Sequence, residues 1–74
     1  MKIRYYPETD TLSIDLVDRP GVDAVEVSPG VVVDLDADGH IVGIDIDHAS
    51  HVADLTHFEA EAVPVLPSAF PQTS

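Results

Sequence analysis

From Val31 to Asp47 the chain reads Val-Val-Val-Asp-Leu-Asp, then Ala-Asp-Gly-His, then Ile-Val-Gly-Ile-Asp-Ile-Asp. Two alternating runs separated by Asp38-Gly39 describe a β-hairpin, because a period of two puts every second side chain on one face. Asp-Gly suits a two-residue type I′ loop, whose central residues both take positive φ. That loop sets Leu35 opposite Val42, Val33 opposite Ile44 and Val31 opposite Ile46. All six then face the same way, so turn chemistry and hydrophobic register agree.

The N-terminal segment repeats the pattern. Lys2–Tyr6 alternates with Ile3 and Tyr5 on one face, and Leu12, Ile14 and Leu16 alternate beyond Pro7-Glu-Thr-Asp10. A hairpin pairing Tyr5 with Leu12 and Ile3 with Ile14 collects every apolar residue on one face and sets Lys2 opposite Asp15. A slip of one residue would destroy that agreement. Asp18-Arg-Pro-Gly21 is a turn by composition. Asp23–Val27 is a short third strand with Val25 and Val27 inward. At Ser28-Pro-Gly30 alternation turns Val32 outward, and Pro-Gly favours a type II turn, so a bulge or bend is expected there rather than a clean hairpin.

After Asp47 the period changes. Val52, Leu55, Phe58 and Ala62 recur at three- and four-residue spacing, the stripe of an amphipathic helix. Ser50 is its candidate N-cap, and Thr56-His-Phe-Glu59 has the capping-box form, so the helix starts late or is broken into two. The fold expected is therefore α+β: a small antiparallel sheet of four to five strands covered by a C-terminal α-helix. Residues 1–63 form this single domain. Residues 64–74, Pro-Val-Leu-Pro-Ser-Ala-Phe-Pro-Gln-Thr-Ser, make a Pro-rich, flexible tail.

Composition narrows the function. A chain of 74 residues buries roughly 60–65% of its unfolded surface, and such a core supplies only ~3–5 kcal/mol net. With no cysteine there is neither a disulfide nor a thiolate metal site to add to it. A homodimer, or docking on a partner, is expected. Fourteen acidic residues against three basic ones give a formal net charge of −11, which argues against nucleic acid and would speed encounter with a basic protein. The start MKIRYYPETD lacks the apolar run of a signal peptide, and no stretch approaches the ~20 apolar residues of a membrane span. A cytoplasmic protein that does not bind membranes is the expectation.

Two constellations invite a metal. Asp34, Asp36, Asp38, Gly39, Ile41 and Asp45 follow the spacing of a calcium loop, with Asp45 where a bidentate glutamate belongs. Flanking strands in place of helices put Asp34 and Asp36 on the outer face and Asp38 in the turn, so that their carboxylates diverge. No metal site is assigned, and calcium or another cation held by Asp34, Asp36, Asp38 and Asp45 is the alternative reading. His48, His51, Asp54 and His57 have helical spacing for zinc, but they border the apolar stripe and read as surface residues. Neither a nucleophile elbow nor a phosphate loop is present. No catalytic residue, no cofactor and no enzymatic activity are expected; a small enzyme is the third choice. Gly43, mid-strand and opposite Asp34, marks either a contact with a second subunit or a local kink.

The opening Met-Lys-Ile-Arg-Tyr-Tyr-Pro-Glu-Thr-Asp-Thr-Leu-Ser-Ile, with Val25–Ser50 later, resembles a family of small bacterial proteins, domain of unknown function 2283. The resemblance covers roughly Met1 to Ser50, with Asp45 where the family usually has Glu. It implies a compact sheet-plus-helix domain and carries no catalytic residues. It also implies an antitoxin-like role beside a basic, toxin-type partner.

Overall fold

A computed structural model describes residues 1–64, and all of the expected tail at 64–74 but its first residue, Pro64, lies outside the described residues. Five antiparallel strands form one sheet: β1 (Lys2–Tyr6), β2 (Thr11–Asp15), β3 (Asp23–Ser28), β4 (Val31–Leu35) and β5 (Ile41–Ile46). Their spatial order is β1-β2-β5-β4-β3. This is a three-strand meander with the β1–β2 hairpin added against β5, a Greek-key arrangement of β2 to β5.

The N-terminal hairpin has the expected register, with Lys2 opposite Asp15, Ile3 opposite Ile14 and Tyr5 opposite Leu12. Its turn places Pro7 after Tyr6, whose carbonyl accepts the Thr9 N–H at 3.3 Å. Proline pre-sets φ for that position. Asp10 then closes the loop at φ 54°, in the left-handed region that aspartate tolerates better than most residues. Between β3 and β4 the expected irregularity is present as a register shift between Glu26 and Ser28, with Gly30 at φ 79°. The bulge carries Val27 out of the row it was expected to join and leaves it 58% exposed.

The central hairpin keeps Val33 opposite Ile44 and Val31 opposite Ile46, but Leu35 faces Ile41 instead of Val42. The loop is one residue longer than the two-residue reading. Gly39 N–H donates to the Asp36 carbonyl at 3.0 Å and Asp36 N–H donates to the His40 carbonyl at 2.9 Å. Gly39 has φ 82°, whereas Asp38 does not have positive φ. This is a three-residue loop, a type I turn closed by a left-handed glycine, and a bulge at Val42 absorbs the difference. Replacing Gly39 with Ala should cost about 1 kcal/mol in urea unfolding. A Cβ there meets nothing within 4 Å, so the loss is one of backbone conformation alone. Asn at the same position should lose less, and equal losses for both would contradict that cause.

Leu16–Val22 must carry the chain from β2 to the far edge, and it crosses one end of β5 and β4. Leu16 and Val17 donate to the Val42 carbonyl at 2.9 and 3.4 Å, and Val22 donates to the Leu35 carbonyl at 2.8 Å. Gly21 lies so close that an added Cβ would stand 3.2 Å from Asp34 Cβ. Val42 beneath this crossing is 4% exposed.

The covering helix is a correction. Helix α1 spans only Ala49–Val52 and has no N-cap side-chain bond; its N-cap is His48, at φ 51°. Ser50 is inside the turn and bonds to Asp10, while the Thr56 N–H and hydroxyl both go to the Asp54 carboxylate. Such local side-chain bonds compete with helix propagation, and one turn cannot repay the cost of a helix nucleus. Val52, Leu55 and Phe58 are 66%, 40% and 74% exposed, so the stripe is not the buried face of a covering helix. Among the described residues no helix is long and apolar enough to cross a membrane.

Candidate interaction surface

Register alone assembles two apolar rows on one face of the sheet. Ile3, Ile14, Ile44, Val33 and Val25 stand side by side across all five strands, and Tyr5, Leu12, Ile46, Val31 and Ser28 form the next row. No charged residue occurs in either row. Ile3, Tyr5 and Val25 are 45%, 43% and 42% exposed, and no large side chain among the described residues is fully buried. Val42 and Ala49 are the buried hydrophobic residues among those described. A one-layer sheet has an inside only when something is laid on it.

The opposite face carries the charge. One row runs Lys2, Asp15, Gly43, Asp34 and Ala24; the next runs Arg4, Ser13, Asp45, Val32 and Glu26. Arg4 pairs with Asp15 at 3.2 Å, and the Ser13 hydroxyl donates to Asp45 at 2.7 Å. Gly43 has an internal role here. A Cβ on it would lie 3.3 Å from an Asp34 carboxylate oxygen and 3.3 Å from the Ile14 carbonyl, so its bareness makes room for Asp34. Burial raises the Asp34 pKa above the usual aspartate value, and the charge of Asp45, a hydrogen bond with it and the charge of Asp15 raise it further. An open cleft of about 550 Å³ beside it is lined by Lys2, Asp15, Arg19, Gly21 and Asp34 among others.

The four aspartates of the calcium alternative do not gather. Asp34 and Asp45 belong to the charged face, while Asp36 and Asp38 belong to the loop. Asp36 is 8% exposed, and one oxygen accepts the N–H groups of Asp38 and His40, each at 2.9 Å. Its other oxygen takes Arg19 Nη1 at 3.2 Å. Asp36, Asp38 and His40 do have ligand atoms within 4.8 Å of one another, a set in which His40 was not foreseen. Asp36 nevertheless acts there as the loop's internal cap, and Asp-x-Asp-Gly was the available signal for it. The zinc constellation also disperses. The rings of His48 and His51 meet edge-on with centroids 6.1 Å apart, His57 Nε2 contacts Glu59 at 2.9 Å, and Asp54 holds Thr56.

Asp10 carries a second task that the sequence did not announce. Its carboxylate accepts the Tyr5 hydroxyl at 2.7 Å and the Ser50 hydroxyl at 2.7 Å, and its carbonyl accepts the Ala49 N–H at 2.9 Å. The Tyr5 and Ser50 hydroxyls therefore hold the Asp10 pKa below its ordinary value against the opposing effect of burial. The N-terminal turn and α1 are thus tied at one residue, and Ala49 is fully buried. In Asp10→Ala the Ser50 amide should exchange with solvent at least about tenfold faster while the β4 and β5 amides are unchanged. Unaltered Ser50 exchange would show that α1 is held by something else.

A family model described as protein of unknown function (DUF2283) matches residues 2–50. That match spans well over half of the chain, and the chain belongs to this family. It takes in all five strands and ends within α1. No curated protein and no solved structure matched the chain.

Proposed function

We propose that this member of the DUF2283 family is a non-enzymatic interaction module that works through the two sides of its sheet. The observation that carries this reading is the pair of charge-free apolar rows, which cross all five strands and end on exposed residues, with Ile3, Tyr5 and Val25 45%, 43% and 42% exposed. Exposed apolar surface of this continuity marks an association site in a soluble protein. The charged side adds a second recognition element. Asp15, Asp34, Asp45 and Glu26 lie on it, and a basic protein of the toxin type has the complementary charge.

Carbene footprinting of the dilute free chain tests the first part. Ile3, Ile14 and Ile44 should label heavily when the protein is alone and dilute, and should lose label when it associates. Rows already protected in the dilute chain would mean that they are covered from within, and the docking reading would fail. For the second part, a lysine-rich peptide should shift the amide resonances of β2 and β5 residues flanking Asp15 and Asp45, with affinity falling as salt rises. Absence of such shifts at low salt would remove the basic partner.

A further inference from the structure

We infer that the occupant of the apolar face is a second copy of this chain, packed sheet on sheet about a two-fold axis; this rests on the docking reading above. Three features of the molecule select that occupant. The first is charge. A chain of formal net charge −11 repels its own copy, yet none of its acids lies in the rows Ile3–Ile14–Ile44–Val33–Val25 or Tyr5–Leu12–Ile46–Val31–Ser28. Face-to-face packing therefore brings apolar surfaces together and leaves the charged rows pointing outward on both sides. A basic partner gains nothing from a face without charge, and it would be drawn to the other side.

The second is area. Five strands about 4.8 Å apart and five residues at about 3.3 Å each make a flat face of about 400 Å². With side-chain relief, two such faces in contact remove about 1,200 Å², at the lower limit of a stable interface. The rows are β-branched aliphatics throughout except for Tyr5, Leu12 and Ser28, so the surface is its own complement under a two-fold rotation. The result is an aligned sandwich with sheets about 10 Å apart. Each copy then acquires the buried core that the described residues lack in isolation.

The third is the condition of the edges, which are the other route to self-association. Strand β3 is bulged at Val27 and ends before Pro29, and β1 carries Lys2 and Arg4 and ends before Pro7. Bulges, edge charges and proline each block strand addition. The face remains open where the edges are closed.

Sedimentation equilibrium of the full chain over a wide concentration range is the test. The expected mass is twice 7.9 kDa, and the dimer should tighten as salt is added, because salt screens the repulsion between two acidic chains. A complex of acidic with basic protein would do the reverse. Ile44→Asp, at the centre of the first row, should weaken the dimer by about 100-fold or more. Ile3→Asp keeps the test decisive if the central variant does not fold, since Ile3 is on an edge strand and 45% exposed. It should weaken the dimer about tenfold. Arg4→Gln makes the same change in net charge on the neighbouring residue of the opposite face, and should leave the dimer within about twofold.

A 7.9 kDa species at every concentration would overturn the inference. So would a dimer indifferent to Ile3→Asp and, where it folds, to Ile44→Asp. A monomer whose rows label heavily would overturn the second copy alone and leave the docking reading standing. A monomer whose rows are protected would end both.

Discussion

Asp36→Ala should lower the melting temperature by about 5–10 °C, whereas Asp38→Ala, two residues away in the same loop, should change it little. Asp36 is 8% exposed, and its carboxylate satisfies the Asp38 and His40 N–H groups at 2.9 Å each. An alanine leaves both donors without that acceptor and removes the anchor of the loop joining the two most central apolar strands. Its ion pair with Arg19 matters less, because the Arg19 side chain is 57% exposed. Asp36→Asn keeps an acceptor oxygen and should fall between the two. The His40 N–H, above all, holds the Asp36 carboxyl below the ordinary aspartate value of 3.8 against an opposing effect of burial; the Asp38 N–H and the charges of His40 and Arg19 assist. A lowered folded pKa means stability that is present above 3.8 and lost as the pH falls through the folded value. Calcium should leave the melting temperature unchanged, since the loop's carboxylate is already taken by its own backbone. A calcium-dependent rise abolished by Asp36→Ala would return the aspartates to ion binding.

Asp34 should behave in the opposite sense, and Asp34→Asn should raise the melting temperature at neutral pH by about 3–5 °C. Its folded pKa is raised, first by burial, then by the charge of Asp45, a hydrogen bond with it and the charge of Asp15. The folded chain therefore binds this proton more tightly than the unfolded chain does. Stability increases as the pH falls from neutrality through the folded value, and the gain is complete near the ordinary value of 3.8. Below that, the lowered carboxyls of Asp10, Asp36 and Asp54 take over and stability declines. The wild type should thus melt highest in mildly acidic buffer, at fixed chain concentration because association shifts melting too. Relief of general acidic repulsion acts in the same direction in both proteins, so the difference between wild type and Asp34→Asn isolates this residue. A difference that does not shrink between neutral and mildly acidic pH would show that Asp34 is not strained.

Much of the fold was legible because strands write their register locally. Ile3 with Ile14, Val33 with Ile44 and Val31 with Ile46 all follow from alternation and a nearby turn. Leu35 with Val42 did not survive, because Asp-Gly is compatible with two loop lengths. The Asp36 carboxylate and the left-handed Gly39 favour the longer one. The covering helix failed for a related reason. Periodicity at Val52, Leu55 and Phe58 is a necessary sign of an amphipathic helix, but Asp54 and Thr56 divert the backbone and the stripe finds no surface to bury. The candidate site was legible only as two aspects seen separately. Alternation separated apolar from acidic residues, yet nothing in it showed that Ile14 and Ile44 are neighbours.

The amino-acid order by itself therefore determined the hairpins, the segregation of acids from aliphatics and the absence of any disulfide or thiolate site. These are properties of successive residues or of composition, and no distant contact is needed to express them. Tertiary structure decided that β2 lies against β5, that Gly21 passes over Asp34, that Asp10 grips α1 and that two apolar rows cross all five strands. Each joins residues far apart in the chain, and each depends on whether closing the intervening loop is repaid by the contacts it brings. That balance is struck in three dimensions, where an alternating pattern has no means of recording which strand its neighbour will be.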